Sequence, residues 1–150
     1  MRKIFLIIIF VLILSGCKKE EYFNCKIDLY NDIQEYELNA IYKVYHDGSF
    51  VTKVEKEEKY ISNNEETLDY FFEYKNLEYQ SIESLYGGIT YNVDLKEDKV
   101  IMTSNIDMTI TNIKKMIQNK YIDKDYVVSN KLTISGIKKR YEEKGAICGE

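Results

Sequence analysis

Few side chains in this chain could do chemistry: one histidine (His46), three cysteines (17, 25 and 148), an i, i+4 carboxylate pair (Asp69 and Glu73), and two serines near glycines (Ser84 and Ser135). His46 falls in "HDG", a turn pattern, where a solvated ring is its ordinary state and a general-base role lacks support. A histidine-based metal site would have to draw every other ligand from carboxylates or cysteines. HExxH, CxxC and EF-hand spacings are all missing, so zinc and calcium sites of known pattern are not expected. Asp69 and Glu73 lie on one helix face with nothing convergent beside them, which is the pattern of a solvated surface. No Gly-x-Ser-x-Gly elbow surrounds either serine. Gly87-Gly88 follows a helical pattern and not a strand, so it is no phosphate loop. These residues predict no catalytic site, no metal and no cofactor, and the expectation is a protein that is not an enzyme.

The cysteines say more. Residues 4–14, "IFLIIIFVLIL", form an eleven-residue apolar run behind Arg2 and Lys3. That length suits a signal-peptide core and is too short to span a bilayer. Leu14, Ser15, Gly16 and Cys17 follow, and this quartet resembles the bacterial lipobox at all four positions. The resemblance implies cleavage before Cys17 and a diacylglycerol on its sulfur, the only prosthetic group expected. Residues 1–16 are then a signal peptide, 17–21 a lipid-anchored tether, and 22–150 a single globular domain. Two or more acyl chains hold a protein stably, at ~0.8 kcal/mol per buried CH₂. Lys18 and Lys19 would meet anionic headgroups, at about 1 kcal/mol each. This places the domain on the outer face of a membrane, with composition favouring the cytoplasmic membrane of a Gram-positive cell. In a Gram-negative cell Lys18 supplies no aspartate retention signal, and the outer membrane is expected.

Loss of residues 1–16 removes Arg2 and Lys3 and no acid, taking the formal charge from −4 to −6. An acidic surface argues against nucleic acid as a partner. The remaining chain, about 134 residues, is enough for one domain and one core. Proline and tryptophan are missing and there are 14 tyrosines. The richness in Lys, Ile, Asn, Glu and Tyr fits an AT-rich genome. Most tyrosines are read as amphipathic, ring inward and hydroxyl at the surface, although interleaved tyrosines can also form a sugar- or peptide-binding face. With Cys17 committed to lipid, Cys25 and Cys148 remain as an even pair in an oxidising compartment. They suggest a disulfide worth ~4–5 kcal/mol on the chain-entropy estimate; the alternative is two buried thiols.

The elements follow from periodicity. "YFNCKIDLY" (22–30) alternates as a half-buried strand, with Phe23, Cys25, Ile27 and Leu29 on one face. A two-residue turn at Asn31-Asp32 is expected to pair Leu29 with Gln34, Ile27 with Tyr36 and Cys25 with Leu38. A three-residue loop with Gly48 in the left-handed region is expected to pair Val44 with Phe50 and Ala40 with Val54. So 22–58 reads as a three-stranded meander, with "KVEKEEKY" (53–60) as a mixed-charge outer strand face or its exit, whose flanking lysines deter edge pairing. Residues 62–88 read as a helix capped by Ser62, Asn63 or Asn64. Leu68, Phe71, Phe72, Leu77 and Tyr79 form its inward stripe, and Ile82 and Leu85 lie in the helix or its exit. A hairpin around "KEDK" pairs Leu95 with Val100 and Val93 with Met102. Within 112–130, the least readable stretch, "NIKKMIQNKY" suggests a short helix with Ile113, Met116 and Ile117 inward. A last helix spans 133–145, with a Thr133 cap, a stripe of Ile134, Ile137 and Tyr141, and a Gly145 stop. Grouped strands and helices predict an α+β fold: an antiparallel sheet, meander plus hairpin, packed against two helices.

The order of lipobox cysteine, second cysteine, meander, helix, hairpin and "LTISGIKKRYEEKGAIC" resembles the YehR-like small bacterial lipoproteins. Leu132, Thr133, Lys139, Tyr141, Glu142, Lys144, Gly145 and Cys148 carry the C-terminal match; Glu143 lengthens the acidic pair, and Ala146 stands where an aromatic is frequent. The resemblance implies a fold, an anchor and a disulfide, and no activity. The functional expectation is therefore a non-catalytic binding or accessory domain at the cell envelope, holding a protein partner, a peptide or a wall component. A protective, inhibitory or structural lipoprotein is the second reading. An exposed tyrosine-rich patch would favour the first and a uniformly charged surface the second.

Overall fold

The computed structural model describes residues 20–149. Leu14, Ser15, Gly16, Cys17 and the following two lysines lie outside the described residues. Strands β1 (Glu21–Asn31), β2 (Tyr36–His46) and β3 (Val51–Ile61) form the meander, and helix α1 (Glu65–Tyr86) follows. Next come β4 (Ile89–Leu95), β5 (Lys99–Asp107), α2 (Ile113–Gln118) and a 3-10 turn (Lys124–Tyr126). The small hairpin β6 (Val127–Val128) and β7 (Lys131–Leu132), helix α3 (Ile134–Glu142) and β8 (Ile147–Gly149) complete the chain. The main sheet is antiparallel in the order β4-β5-β3-β2-β1-β8. The α+β class thus holds, with α2 as a third helix and β8 as a sixth strand.

Pairing sets side chains in rows across the sheet. One inward row runs Phe23, Val44, Val54, Ile106, Ile89, and the next Cys25, Tyr42, Lys56, Ser104, Tyr91. The helices cover this face. Ile82 and Tyr86 of α1, Met116 of α2 and Ile137 and Tyr141 of α3 join its apolar core. A smaller cluster of Tyr60, Leu68, Phe71 and Val100 fills the far end of α1. Each buried side chain of this size contributes about 1.5–3 kcal/mol of transfer free energy, and together they hold the helices to the sheet.

The β4–β5 hairpin has the expected register, Leu95 with Val100 and Val93 with Met102. The first two hairpins do not. Leu29 pairs with Leu38, Ile27 with Ala40 and Cys25 with Tyr42. The cause is the Asn31 side chain, which accepts hydrogen bonds from the backbone of Ile33 and Gln34, while Glu35 takes a left-handed φ of 52°. The loop therefore runs over four residues where two were expected. In the second hairpin Val44 pairs with Val54 and Ala40 with Glu58. Asp47 holds that turn by accepting from the backbone of Ser49 and Phe50, with Gly48 at φ 96°. Both slips are by an even number of residues, so every inward residue of the paired strands keeps its face. Phe50 is the exception, lying in the turn and bridging to Thr133. A bulge opposite Tyr45 and His46 then turns Val51 inward.

Asn64 is the α1 cap, accepting from Thr67 N, and Ser62 supports it by accepting from Asn64 N and donating to the Glu35 carbonyl. Ile82 lies within the helix and is buried, whereas Leu77 is 67% exposed. The expected stripe strayed at Leu77 because the residue sits on the opposite side of the helix from Leu68, Tyr79 and Ile82. Thr133 caps α3 by accepting from Gly136 N, as expected. Gly136 lies against the 3-10 turn, where a Cβ would come within 2.6 Å of the Tyr126 backbone.

Candidate functional site

β3 is a central strand, between β2 and β5. Its alternation from Val54 to Tyr60 therefore turns Lys56 and Glu58 into the covered face. This corrects the reading of "KVEKEEKY" as an outer, edge-protecting segment: only Lys53, Glu55, Glu57 and Lys59 are on the open face. The signal was present, since Val54 and Tyr60 share parity with the two charges. Charge outweighed parity as a cue.

Glu58 is 7% exposed. The Tyr42 hydroxyl donates to its Oε1 at 2.9 Å and the Tyr60 hydroxyl to its Oε2 at 3.2 Å. Lys75, from α1, places Nζ 3.7 Å from Glu58 Oε2 and donates to Glu78 Oε2 at 2.9 Å. Burial alone would push the Glu58 carboxyl up; Lys56, Lys75 and the two phenols outweigh it and hold the group below the usual carboxylate range. Burial and the neighbouring carboxylate push the Tyr42 and Tyr60 phenols well above the ordinary tyrosine value. Burial disfavours the Lys75 ammonium, but Glu58, Tyr60 and Glu78 more than restore it. This is a satisfied internal ion pair.

Lys56 is different. It donates to the Tyr79 hydroxyl at 3.2 Å, and its Nζ stands 5.7 Å from the ring centres of both Tyr42 and Tyr79. The Tyr42 ring stacks on Tyr141 of α3 at 4.3 Å. Burial works against the Lys56 charge, and the surrounding phenol oxygens with Glu58 hold it nonetheless above the usual lysine range. Beside it lies a cavity of about 30 Å³ between β3, β5 and α3. Lys56, Tyr121, Arg140, Tyr141 and Lys144 line its polar side, and Met116, Ile122 and Ile137 are among the apolar residues lining the rest. Arg140 lies over the Tyr121 ring at 4.8 Å. Sequence reasoning missed this group entirely, because its members are spread over four segments.

The open face of the sheet forms a groove of about 640 Å³. Ile41, Lys43, Glu55 and Glu57 line one half, and Thr90, Asn92, Thr103 and Asn105 the other. A second exposed feature lies on α1. Tyr70, Tyr74, Leu77 and Leu85 fall on one side of the helix, away from the sheet, and all are exposed. Tyr70 and Tyr74 stack at 5.8 Å. Six acids and a single base, Lys75, occupy this helix, and Lys75 is turned inward to Glu58.

The residues singled out in the sequence do not converge. Cys25 and Cys148 form a disulfide, opposite one another where β8 pairs with β1. His46 ends β2, where its Nδ1 accepts from Gly48 N and lies 3.8 Å from a Glu21 carboxylate oxygen. Asp69 and Glu73 are exposed on α1, Ser84 is exposed near its end, and Ser135 lies in the first turn of α3. Among the described residues no group of three or more His, Cys, Asp or Glu side chains is placed to hold a metal ion. No helix among them is long and apolar enough to cross a membrane.

The whole architecture has counterparts among solved structures. The NMR structure of the Escherichia coli YehR protein superposes with a TM-score of 0.55 at 14% identity, covering 87% of this chain and 91% of that one. The fold is YehR-like. An NMR structure of a protein from Streptococcus pneumoniae TIGR4 shares it, with a TM-score of 0.53, 12% identity, and coverage of 90% and 89%. No family model matches the chain. No curated protein matches it either. At these identities the likeness is one of fold. It agrees with the YehR-like resemblance of the sequence, and the α1 stripe and the cationic cavity stand on this chain's own residues.

Proposed function

We propose that this YehR-like chain is a non-catalytic, lipid-anchored accessory domain of the cell envelope that holds a protein partner against the membrane through the outer face of α1. The observation that carries the reading is the exposed Tyr70–Tyr74–Leu77–Leu85 stripe with acids beside it. Aromatic and leucine side chains in a row on a solvent-facing helix side supply the apolar centre of an interface, and the flanking carboxylates supply its rim. The complementary partner is an amphipathic helix with lysine or arginine flanks, carried by another envelope protein. An exposed tyrosine patch also favours binding over the ligand-free protective or structural reading.

The anchor supports the same picture. With diacylglycerol on Cys17, three residues separate the anchor from the start of β1 at Glu21, four residue steps in all. A span of four extended residues reaches at most roughly 14 Å, so the domain would work close to the headgroups. Cys17→Ala should leave the precursor uncut and unlipidated; normal processing of that variant, read by mass spectrometry, would overturn the anchor.

The partner is tested in cells with the full-length chain carrying a photocrosslinker at Leu77 or, as control, at Thr103 on the open sheet face. One recurrent crosslink from Leu77 to a basic amphipathic segment, lost in Tyr74→Glu, supports the reading. A crosslink to a second copy of the chain, or equal yields from both positions, would refute it.

A further inference from the structure

Three cations meet at the cavity beside Lys56, and none of the three forms an ion pair among the described residues. Lys56 reaches it from β3, Arg140 from α3 and Lys144 from the turn after α3. The phenols and Glu58 hold the Lys56 charge in place, but Arg140 and Lys144 are brought up beside it, and repulsion among the three works against the native state. We propose that this cavity is a binding site for one small anionic group, of the size of a chloride ion or a single carboxylate or phosphate head.

Room and chemistry agree. A volume of about 30 Å³ has room for one or two water-sized groups, so a chloride ion fits within it, and a carboxylate or phosphate head enters by one or two oxygens with the rest in the open mouth. Its apolar side excludes water and strengthens any charge interaction within it. Lys56 has three N–H donors and, among the described residues, a single hydrogen bond, to the Tyr79 hydroxyl. The Tyr121 and Tyr141 rings line the same cavity. Three carboxylates on neighbouring elements, Glu58, Glu78 and Glu143, are already engaged. Glu58 takes the Tyr42 and Tyr60 hydroxyls, Lys75 bridges Glu58 and Glu78, and Glu143 accepts from the Tyr126 hydroxyl.

Lys144, at the mouth, reports the imbalance. The side chain is largely exposed, but partial burial of its ammonium end, then Arg140 and Lys56, lower it to about 8, and Glu58 and Glu78 only partly oppose this. A bound anion would raise that value again, so anion uptake and Lys144 protonation are linked. The site goes beyond the partner-docking reading and does not depend on it, since the α1 stripe faces away from the sheet.

The test uses the full-length protein in detergent, with isotope-labelled lysine followed by NMR. Chloride, acetate and phosphate are titrated separately at pH 7 and pH 9.5. Saturable binding of at least one of them is expected at pH 7, with a rise in the Lys144 pKa and affinity about tenfold weaker at pH 9.5. Lys144→Gln lies at the exposed mouth and should leave the fold intact while weakening binding about tenfold. Arg140→Gln should act alike. Chloride binding alone would define an inorganic-ion site, and preference for acetate or phosphate a head-group site. No saturable shift with any of the three anions, or unchanged binding in Lys144→Gln, would overturn the proposal.

Discussion

Replacing Glu58 by glutamine tests the internal charge network most sharply. The side chain keeps its shape and loses its charge. Tyr42 can still donate to the remaining carbonyl oxygen, but the Tyr60 hydroxyl, now 3.2 Å from an NH₂ position, must reverse its role. Two charge-assisted hydrogen bonds become at best ordinary ones, a loss of roughly 1 kcal/mol each. Lys75 retains Glu78 at 2.9 Å, so it is not stranded, but it loses the attraction of a carboxylate 3.7 Å away in the interior. Breaking a buried pair costs about 3–5 kcal/mol when a charge is left alone, and the surviving Glu78 contact places this case at the lower end, about 3 kcal/mol. Urea unfolding at pH 7 should show that loss, with a fall in Tm of roughly 10 °C. Glu57→Gln, one residue away on the open face and paired among the described residues with Lys59 alone, should cost less than about 0.5 kcal/mol. The pH dependence has a definite sign. Because the folded carboxyl is held below its ordinary value, the Glu58 contribution is complete above about pH 4.3 and is lost as pH falls through the lower, folded value. Equal stabilities of the two variants at pH 7, or a Glu58→Gln loss that persists undiminished at pH 2, would refute the argument.

Three further outcomes follow from the same structure. Cys25→Ala with Cys148→Ala removes a crosslink spanning 123 residues and should lower stability by about 5 kcal/mol, read by urea unfolding against the oxidised parent. Burial holds the Tyr42, Tyr60, Tyr79 and Tyr141 phenols above the ordinary value. The unfolded chain therefore releases protons first above about pH 10, and stability should fall steeply beyond that point, with tyrosinate absorbance at 295 nm rising together with loss of ellipticity. Gly136→Ala drives a Cβ into the Tyr126 backbone and should cost about 3 kcal/mol, visible as a lowered urea midpoint.

Face assignment was legible in the sequence; register and convergence were not. Period-2 alternation placed Phe23, Cys25, Ile27, Ala40, Tyr42 and Val44 correctly even though both early turns are four residues long. An error of an even number of residues leaves parity untouched. The turns themselves escaped because they are set by side-chain to backbone hydrogen bonds from Asn31 and Asp47, where a sequence shows only residues that favour some turn. Caps were readable at Thr133 and within one of three choices at Asn64, since capping depends on neighbours in sequence. Lys56, Arg140 and Lys144 were not readable as a group. They meet only because β3 is central and α3 packs over it, a contact between segments some 80 residues apart. The α1 stripe lay in plain view but was misread, because Leu77 was counted into one broad inward stripe although it stands half a turn round the helix from Leu68.

The Cys25–Cys148 bond also decides how the domain carries mechanical load. Tension drawn along the N-terminal segment enters at Glu21 and meets the crosslink four residues later. β1 cannot then slide out by itself. On one side it is in register with β2 over eleven residue pairs, which resist in shear, and on the other it is covalently joined to β8. Force applied at α1 and carried through the sheet would cross β3 and β2, ladder by ladder, before it reaches that point. A domain coupled in this way transmits a pull as a stiff link, with little strand to pay out before the sheet itself gives way.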